Sequence, residues 1–210
     1  INKFAETGWQ LDEVEAVKKF KYNWFNNKIS IKDNLNFDQK KDFVILPEIF
    51  AHLAGDLLIK NKIKYAIFVQ NGYSINFTSN LKKLELAYSN AEFILSYSSD
   101  ITECIKLNFP KLQTEIIKIK YSIVSKAINK KVRKKNLITY MSRKLPVHSS
   151  HVVLLLKKHL PKNWTIKDLN NIDEKLVYHS LQKSKIFLAF SNLEGLPLPP
   201  VEAALAGNYV

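Results

Sequence analysis

Residues 186–210 read Ile186-Phe187-Leu188-Ala189-Phe190-Ser191-Asn192-Leu193-Glu194-Gly195-Leu196-Pro197-Leu198-Pro199-Pro200-Val201-Glu202-Ala203-Ala204-Leu205-Ala206-Gly207-Asn208-Tyr209-Val210. Ile186 to Phe190 is an apolar run of strand length. A loop rich in Gly and Pro follows. Pro200 is pre-set for the first turn of a short helix, and Gly207 is placed to end it. Asn208 to Val210 then starts a further strand. The order strand, loop, helix, strand predicts a parallel βαβ unit. In such units ligands bind at the carboxyl ends of the strands. Glu194 sits there, and Glu202 follows in what the sequence predicts to be the first helical turn. Two carboxylates and the N–H groups of a helix start suit a ligand with a phosphate and many hydroxyls. Two isolated glutamates would carry little weight, since one on a loop and one on a helix are ordinary surface charges. Here the Gly, the prolines and the Ala-rich turn frame both.

Working back along the chain, the same alternation recurs. Strands are predicted at Phe43–Leu46, Tyr65–Gln70, Glu92–Ser96 and Glu115–Ile123. Helices are predicted at Leu11–Phe25, Glu48–Ile59, Leu81–Tyr88 and Asp100–Asn108, the last capped by Ser98 or Ser99. This spacing predicts a parallel sheet covered on both faces. Lys126 to Lys135 then carries six basic residues in ten. We place the domain boundary there, with residues 1–125 before the linker 126–136 and 137–210 after it. The second α/β unit begins with a strand at Leu137–Met141. A helix from about Ser149 to His159, a short strand at Trp164–Ile166 and a helix at Asp173–Ser184 precede the stretch quoted above.

Composition narrows the classes. A chain of 210 residues with 46% hydrophobic content can bury a real core. Its single cysteine, Cys104, excludes an internal disulfide and suits a reducing compartment. No apolar run is long enough to span a bilayer, and the first residues have no signal-peptide pattern. Net charge is +13, from 32 Lys and Arg against 19 Asp and Glu, which favours anionic partners. A nucleic-acid-binding protein is one reading of that charge. It requires basic residues interleaved with exposed aromatics, whereas most aromatics here fall inside apolar strands. No G-x-G-x-x-G, Walker loop or G-x-S-x-G occurs, so dinucleotide, P-loop and hydrolase readings lack their markers.

The stretch Glu194-Gly-Leu-Pro-Leu-Pro-Pro-Val-Glu202-Ala-Ala-Leu-Ala-Gly207 resembles the E-x7-E signature of retaining GT-B glycosyltransferases of the family four type. Met141-Ser142-Arg143-Lys144 resembles the strand end that binds the donor diphosphate in that family. The resemblance covers most of residues 42–210. It implies two Rossmann-like parallel-sheet domains, the second incomplete at Val210. The first strand and glycine loop of the family are not found in residues 1–41.

The resemblance also implies roles. Arg143 and Lys144 would hold the diphosphate, although the family's lysine about five residues after the arginine is replaced by His148, which is the other candidate. Glu194 would hold the donor sugar, with Glu194, Arg143 and Lys144 as the catalytic set. Glu202 would accept from the ribose. The N–H groups of Gly195, Leu196 and Leu198 would face phosphate or sugar, whereas Pro197, where the family has Gly, cannot donate. Gln70, Asn71, Gly72 and Tyr73 stand where the family carries a His-containing acceptor loop. His52, beside Ile49 and Leu53, is read as a packed core residue. Ser96 to Asp100 resembles the turn near the interdomain cleft, although helix capping alone explains it.

The implied reaction is transfer of a sugar from a nucleotide-diphosphate sugar to a glycan or lipid-linked acceptor, in bacterial cell-surface glycan synthesis. Tyr65 to Tyr73 and Tyr140 to Lys144 resemble a subgroup that includes rhamnosyltransferases. No Asp-x-Asp occurs, so no metal and no cofactor beyond the donor are expected. The expected location is the cytoplasm, at the inner membrane face if residues 126–135 meet anionic lipid at about 1 kcal/mol per basic residue. The alternative is a non-catalytic, truncated relative that keeps the nucleotide-sugar site.

Overall fold

The computed structural model describes residues 36–77, 80–120 and 132–210. The helix expected at Leu11–Phe25 and most of the basic linker lie outside these residues.

The first sheet is built from β1 (Phe43–Pro47), β2 (Lys64–Val69), β3 (Phe93–Ser96) and β4 (Ile116–Lys118), in the order β1-β2-β3-β4. All pairs are parallel, with Val44 opposite Tyr65, Ile67 opposite Ile94 and Ile94 opposite Ile116. Helical turns over Glu48–Leu53 and Gly55–Ile59 join β1 to β2. Turns at Gly72–Phe77 and helix α1 (Leu81–Asn90) join β2 to β3, and α2 (Ser99–Asn108) joins β3 to β4. Ser98 is the α2 cap, its Oγ accepting from the Ile101 N–H at 3.0 Å.

Tyr65, Ile67, Val69 and Ile94 pack with Ala51, Leu58, Leu84, Tyr88, Ile101 and Ile105 into one core. Register places these strand residues on one face. The other face carries Phe43, Ile45, Phe68, Phe93 and Leu95, with Phe43 and Ile45 exposed and the Phe43 and Phe93 rings stacked at 5.6 Å. Among the described residues the connecting helices and turns all pack on the first of these faces. Strands laid down in sequential order through right-handed crossovers put every connecting helix on the same side.

Two corrections concern helices. Glu48–Ile59 is not one α-helix but tight turns followed by wide ones, the latter closed by Lys60 N–H to the Gly55 carbonyl at 3.3 Å. It starts without a side-chain cap, because the cap position is Pro47, whose side chain has no acceptor. The helix expected from Ser149 begins at Pro146 instead. Ser149 and Ser150 look like caps but sit inside the first turns, their hydroxyls donating back to the Pro146 carbonyl at 3.0 and 2.7 Å. Strand ends also move: the second unit's first and last strands are shorter than predicted, and the strand predicted at Trp164–Ile166 runs from Thr165 to Asp168.

The second sheet has the order β6-β5-β7, from β5 (Leu137–Tyr140), β6 (Thr165–Asp168) and β7 (Ile186–Leu188), all parallel. Helix α3 (Pro146–His159) links β5 to β6, and α4 (Glu174–Lys183) links β6 to β7. Helix α5 (Leu198–Leu205) leads to Tyr209, which bridges to Ile186 in parallel. The predicted βαβ unit is thus present. Phe187, Leu181, Leu169, Ala203 and Ala206 form its core.

The carboxyl end of α5 is closed as its glycine predicted. Gly207 has φ +80°, and the Asn208 and Gly207 N–H groups bond the Ala203 and Ala204 carbonyls at 3.0 and 2.9 Å. Lys134, from the basic linker, reaches into the same place. Its ammonium donates to Ala206 O at 2.7 Å and Leu181 O at 3.2 Å, so one cation serves the carbonyl ends of two helices. Burial lowers its pKa. At least this residue of the cluster is structural. Lys134→Met is expected to lower stability by about 1–2 kcal/mol, read by thermal unfolding, whereas Lys135→Met, whose side chain is exposed, leaves it unchanged.

Candidate active site

A cleft opens at the carboxyl ends of β5 and β7. Met141, Phe187 and Phe190 supply apolar lining, Arg143 and Lys144 lie on the β5 side, and Glu194, Pro199 and Pro200 lie on the other. Local bonds fix the β5 end. Asp168, at the end of β6, accepts from the Ser142 hydroxyl at 2.5 Å, from the Ser142 N–H at 3.3 Å and from the Asn170 N–H at 3.0 Å. The turn that presents Arg143 and Lys144 is thereby tied to the neighbouring strand. Phe190 joins the other strand end to it, its ring edge-on to Tyr140 at 5.9 Å and tilted against His148 at 6.1 Å.

The structure thus places Arg143, Lys144 and Glu194 together. The Lys144 ammonium is paired with the Glu194 carboxylate, whose side chain is 14% exposed. Burial first, and the Arg143 guanidinium second, lower the Lys144 pKa. Of the two candidates for the second cation, Lys144 lines the cleft, while His148 is taken up by Phe190. Among the described lining residues, two cations face one carboxylate, so the cleft keeps a surplus of positive charge.

Glu202 is not beside Glu194 in that lining. It lies in the second turn of α5 rather than the first, because the helix begins at Leu198. Its carboxylate accepts from the Tyr178 hydroxyl of α4 at 2.9 Å. Burial raises its pKa, and the Tyr178 bond opposes this. Pro199 and Pro200 occupy the first turn of α5. They remove two of the N–H donors expected there, leaving Leu198 to donate within that turn.

Gln70, Asn71, Gly72 and Tyr73 form a second structure against this one. Glu48, at the end of β1, is buried, and its carboxylate accepts from the Gln70 and Asn71 N–H groups at 3.2 and 3.1 Å. Burial raises its pKa despite these bonds. Tyr97 donates to the Gln70 carbonyl at 2.9 Å, and the Tyr73 hydroxyl donates to Asp100 at 3.0 Å. Gly72 is pressed onto α2, where an added carbon would lie 2.6 Å from Cys104 Cβ. Asn71 then reaches across to the loop of the cleft, its Nδ2 donating to Leu193 O at 2.6 Å. Leu193 has φ +45°, a strained conformation for a residue with a side chain. Gly195 sits so closely on this turn that a Cβ would overlap the Gln70 carbonyl oxygen. His52 is half-buried, and burial lowers its pKa.

Three residues that the sequence did not single out for the site support it: Glu48, Asp168 and Tyr178. Glu48 and Asp168 share one signal, an acidic residue at the carboxyl end of a strand. Tyr178 had none, since its partner lies 24 residues away. Among the described residues no group of three or more His, Cys, Asp or Glu side chains could hold a metal. No helix among them is long and apolar enough to cross a membrane.

No protein-family model matches the chain, and no curated protein matches it. Solved structures do. The pneumococcal O-GlcNAc transferase GtfA, in complex with UDP and GlcNAc, superposes with a TM-score of 0.53 at 14% identity, over 81% of this chain and 41% of its own. A variant of S. aureus TarM, in complex with fondaparinux, alpha-GlcNAc-glycerol and UDP, gives 0.50 at 12% identity, over 78% of this chain and 40% of its own. The chain therefore has the Rossmann-like α/β architecture of the GT-B glycosyltransferases, over less than half the length of these two.

Proposed function

We propose that the chain is a glycosyltransferase, or the nucleotide-sugar-binding part of one, moving a sugar from a nucleotide-diphosphate sugar to an acceptor hydroxyl with retention. The observation that carries this reading is the cleft with Arg143 and Lys144 facing the single carboxylate Glu194, at the carboxyl ends of two parallel strands.

The bond that breaks joins the sugar's anomeric carbon to the diphosphate. Electrons move onto the leaving oxygen as the carbon gains oxocarbenium character. Arg143 and Lys144 stabilise the charge that grows there. The acceptor oxygen bonds to the same carbon on the same face, and its proton passes to the departing phosphate. Glu194 accepts from the sugar hydroxyls, which requires the sugar to displace Lys144 towards the diphosphate. Glu202 keeps the Tyr178 bond and still has lone pairs for a ribose. The acceptor, a glycan or a lipid-linked glycan, would lie by Gln70, Asn71 and Tyr73.

Calorimetry with UDP, GDP, dTDP and their sugars tests this, with UDP first because both similar structures contain it. Wild type is expected to bind one nucleotide. Arg143→Ala should weaken it by about tenfold or more, and Glu202→Gln should weaken nucleotide and nucleotide sugar alike. Glu194→Gln should weaken only the nucleotide sugar. Binding of none by wild type overturns the reading. Binding without turnover, across a panel of acceptors, would favour the non-catalytic relative.

A further inference from the structure

We propose that the outer face of α3 is a docking surface for an anionic lipid bilayer. This goes beyond the nucleotide-sugar reading and does not depend on it.

Two independent observations lead there. The first is a helix with apolar side chains on its outer face as well as its inner one. Ser149 and Val153 are buried against the second unit, with Val152 and Leu156 half-buried beside them. On the opposite side Val147, His151, Leu154 and Lys158 succeed one another at spacings of four, three and four, and so form one row. Leu155 flanks it. Val147 is 69% exposed, Leu154 59% and Leu155 58%. Val147, Leu154 and Leu155 thus keep most of their surface uncovered among the described residues.

The second observation is where the charge resides. From Ile116 to Lys167 there is no Asp or Glu, while 14 Lys and Arg occur there. The rest of the chain holds 18 basic against 19 acidic residues, so this one stretch accounts for the whole net charge of +13. Helix α3 lies within it. Lys157, Lys158 and, just beyond, Lys162 rim the carboxyl end of the apolar row, and all three are exposed.

Exposed aliphatic side chains with lysines at one end, on a helix within an acid-free stretch of sequence, match an interface helix lying in the headgroup region. The leucines enter the acyl boundary, and the lysines meet lipid phosphates. Nucleic acid fits less well. It would meet the lysines but leave Val147, Leu154 and Leu155 without partners, and residues 146–162 contain no Phe, Tyr or Trp to stack on bases. A second copy using the same face would set lysines against lysines.

Co-sedimentation of the full chain with vesicles tests the proposal. Wild type should bind phosphatidylcholine–phosphatidylglycerol vesicles and not pure phosphatidylcholine ones. The double variant Leu154→Gln, Leu155→Gln should bind about tenfold more weakly. The triple variant Lys157→Gln, Lys158→Gln, Lys162→Gln should lose at least as much, and wild-type binding should weaken with salt. Circular dichroism of each variant confirms that it is folded, as expected for exposed positions. Wild type that ignores anionic vesicles overturns the proposal. So does a leucine variant that binds them like wild type, or binding to RNA or duplex DNA that the leucine variant leaves intact while vesicle binding is absent.

Discussion

Gly195→Ala is expected to unseat the loop that carries Glu194. The added carbon meets the Gln70 carbonyl oxygen, a backbone atom held in place by Tyr97, and lies 2.9 Å from Ile101 Cδ1 and 3.1 Å from Asn71 Cα. None of these can give way cheaply. The turn beneath is pinned by Glu48, and Ile101 is fully buried in the first core. The loop must lift, which breaks the Asn71 to Leu193 bond and frees a strained residue to relax. Stability should fall by about 1–3 kcal/mol, measured by chemical denaturation. Amide exchange over residues 191–196 should rise. Gly55→Ala is the control. Its new carbon meets only Leu86 Cδ2, at an ordinary 3.6 Å, and the change should stay within about 0.5 kcal/mol. A Gly195→Ala protein as stable as wild type would show that the loop and the turn do not lean on each other.

Glu48→Ala should cost as much or more, by a different route. Its carboxylate satisfies two backbone N–H groups, and alanine leaves both without their acceptor. A loss of about 2–3 kcal/mol is expected. The same carboxyl adds a pH dependence. Burial raises its pKa in the folded chain above the ordinary value of 4.5. The folded state therefore holds this proton more tightly than the unfolded one. The stability this contributes is complete below the ordinary value and is lost as pH rises through the folded one. Glu48→Gln cannot titrate, so the slope of stability with pH over that window should be shallower than in wild type. An unchanged slope would mean that Glu48 ionises alike in both states.

These two residues mark the limits of what could be read from the sequence. The strands were legible because Phe43–Leu46 and Tyr65–Val69 are apolar runs stopped by Pro47 and the Asn71-Gly72 turn. The end of α5 was legible because a glycine in that position has few other reasons to exist. Arg143, Lys144 and Glu194 could be singled out by resemblance, and they do share a cleft. What failed was whatever depended on distant partners. Serines at 149 and 150 signal a helix start, but without the Pro146 carbonyl in view they cannot be told from caps. Glu48 after a proline has no periodic signal, and its meaning lies in amides more than twenty residues on. The pull of Tyr178 on Glu202 is of the same kind. That the described helices pack on one face of the first sheet followed from strand order, which local pattern does not encode.

That strand order bears on how the chain comes off a ribosome. In the first sheet each strand pairs with the one synthesised just before it, so β2 finds β1 waiting, β3 finds β2, and β4 finds β3. Every closure spans a single crossover between strands adjacent in sequence, and assembly can keep pace with translation. In the second sheet the central strand, β5, is made first and must hold both flanks open. One is filled by β6, the other only when β7 arrives some forty-five residues later, with Ile186 facing Ile138. The nascent first sheet can close strand by strand, while β5 keeps one flank unpaired until β7 has emerged.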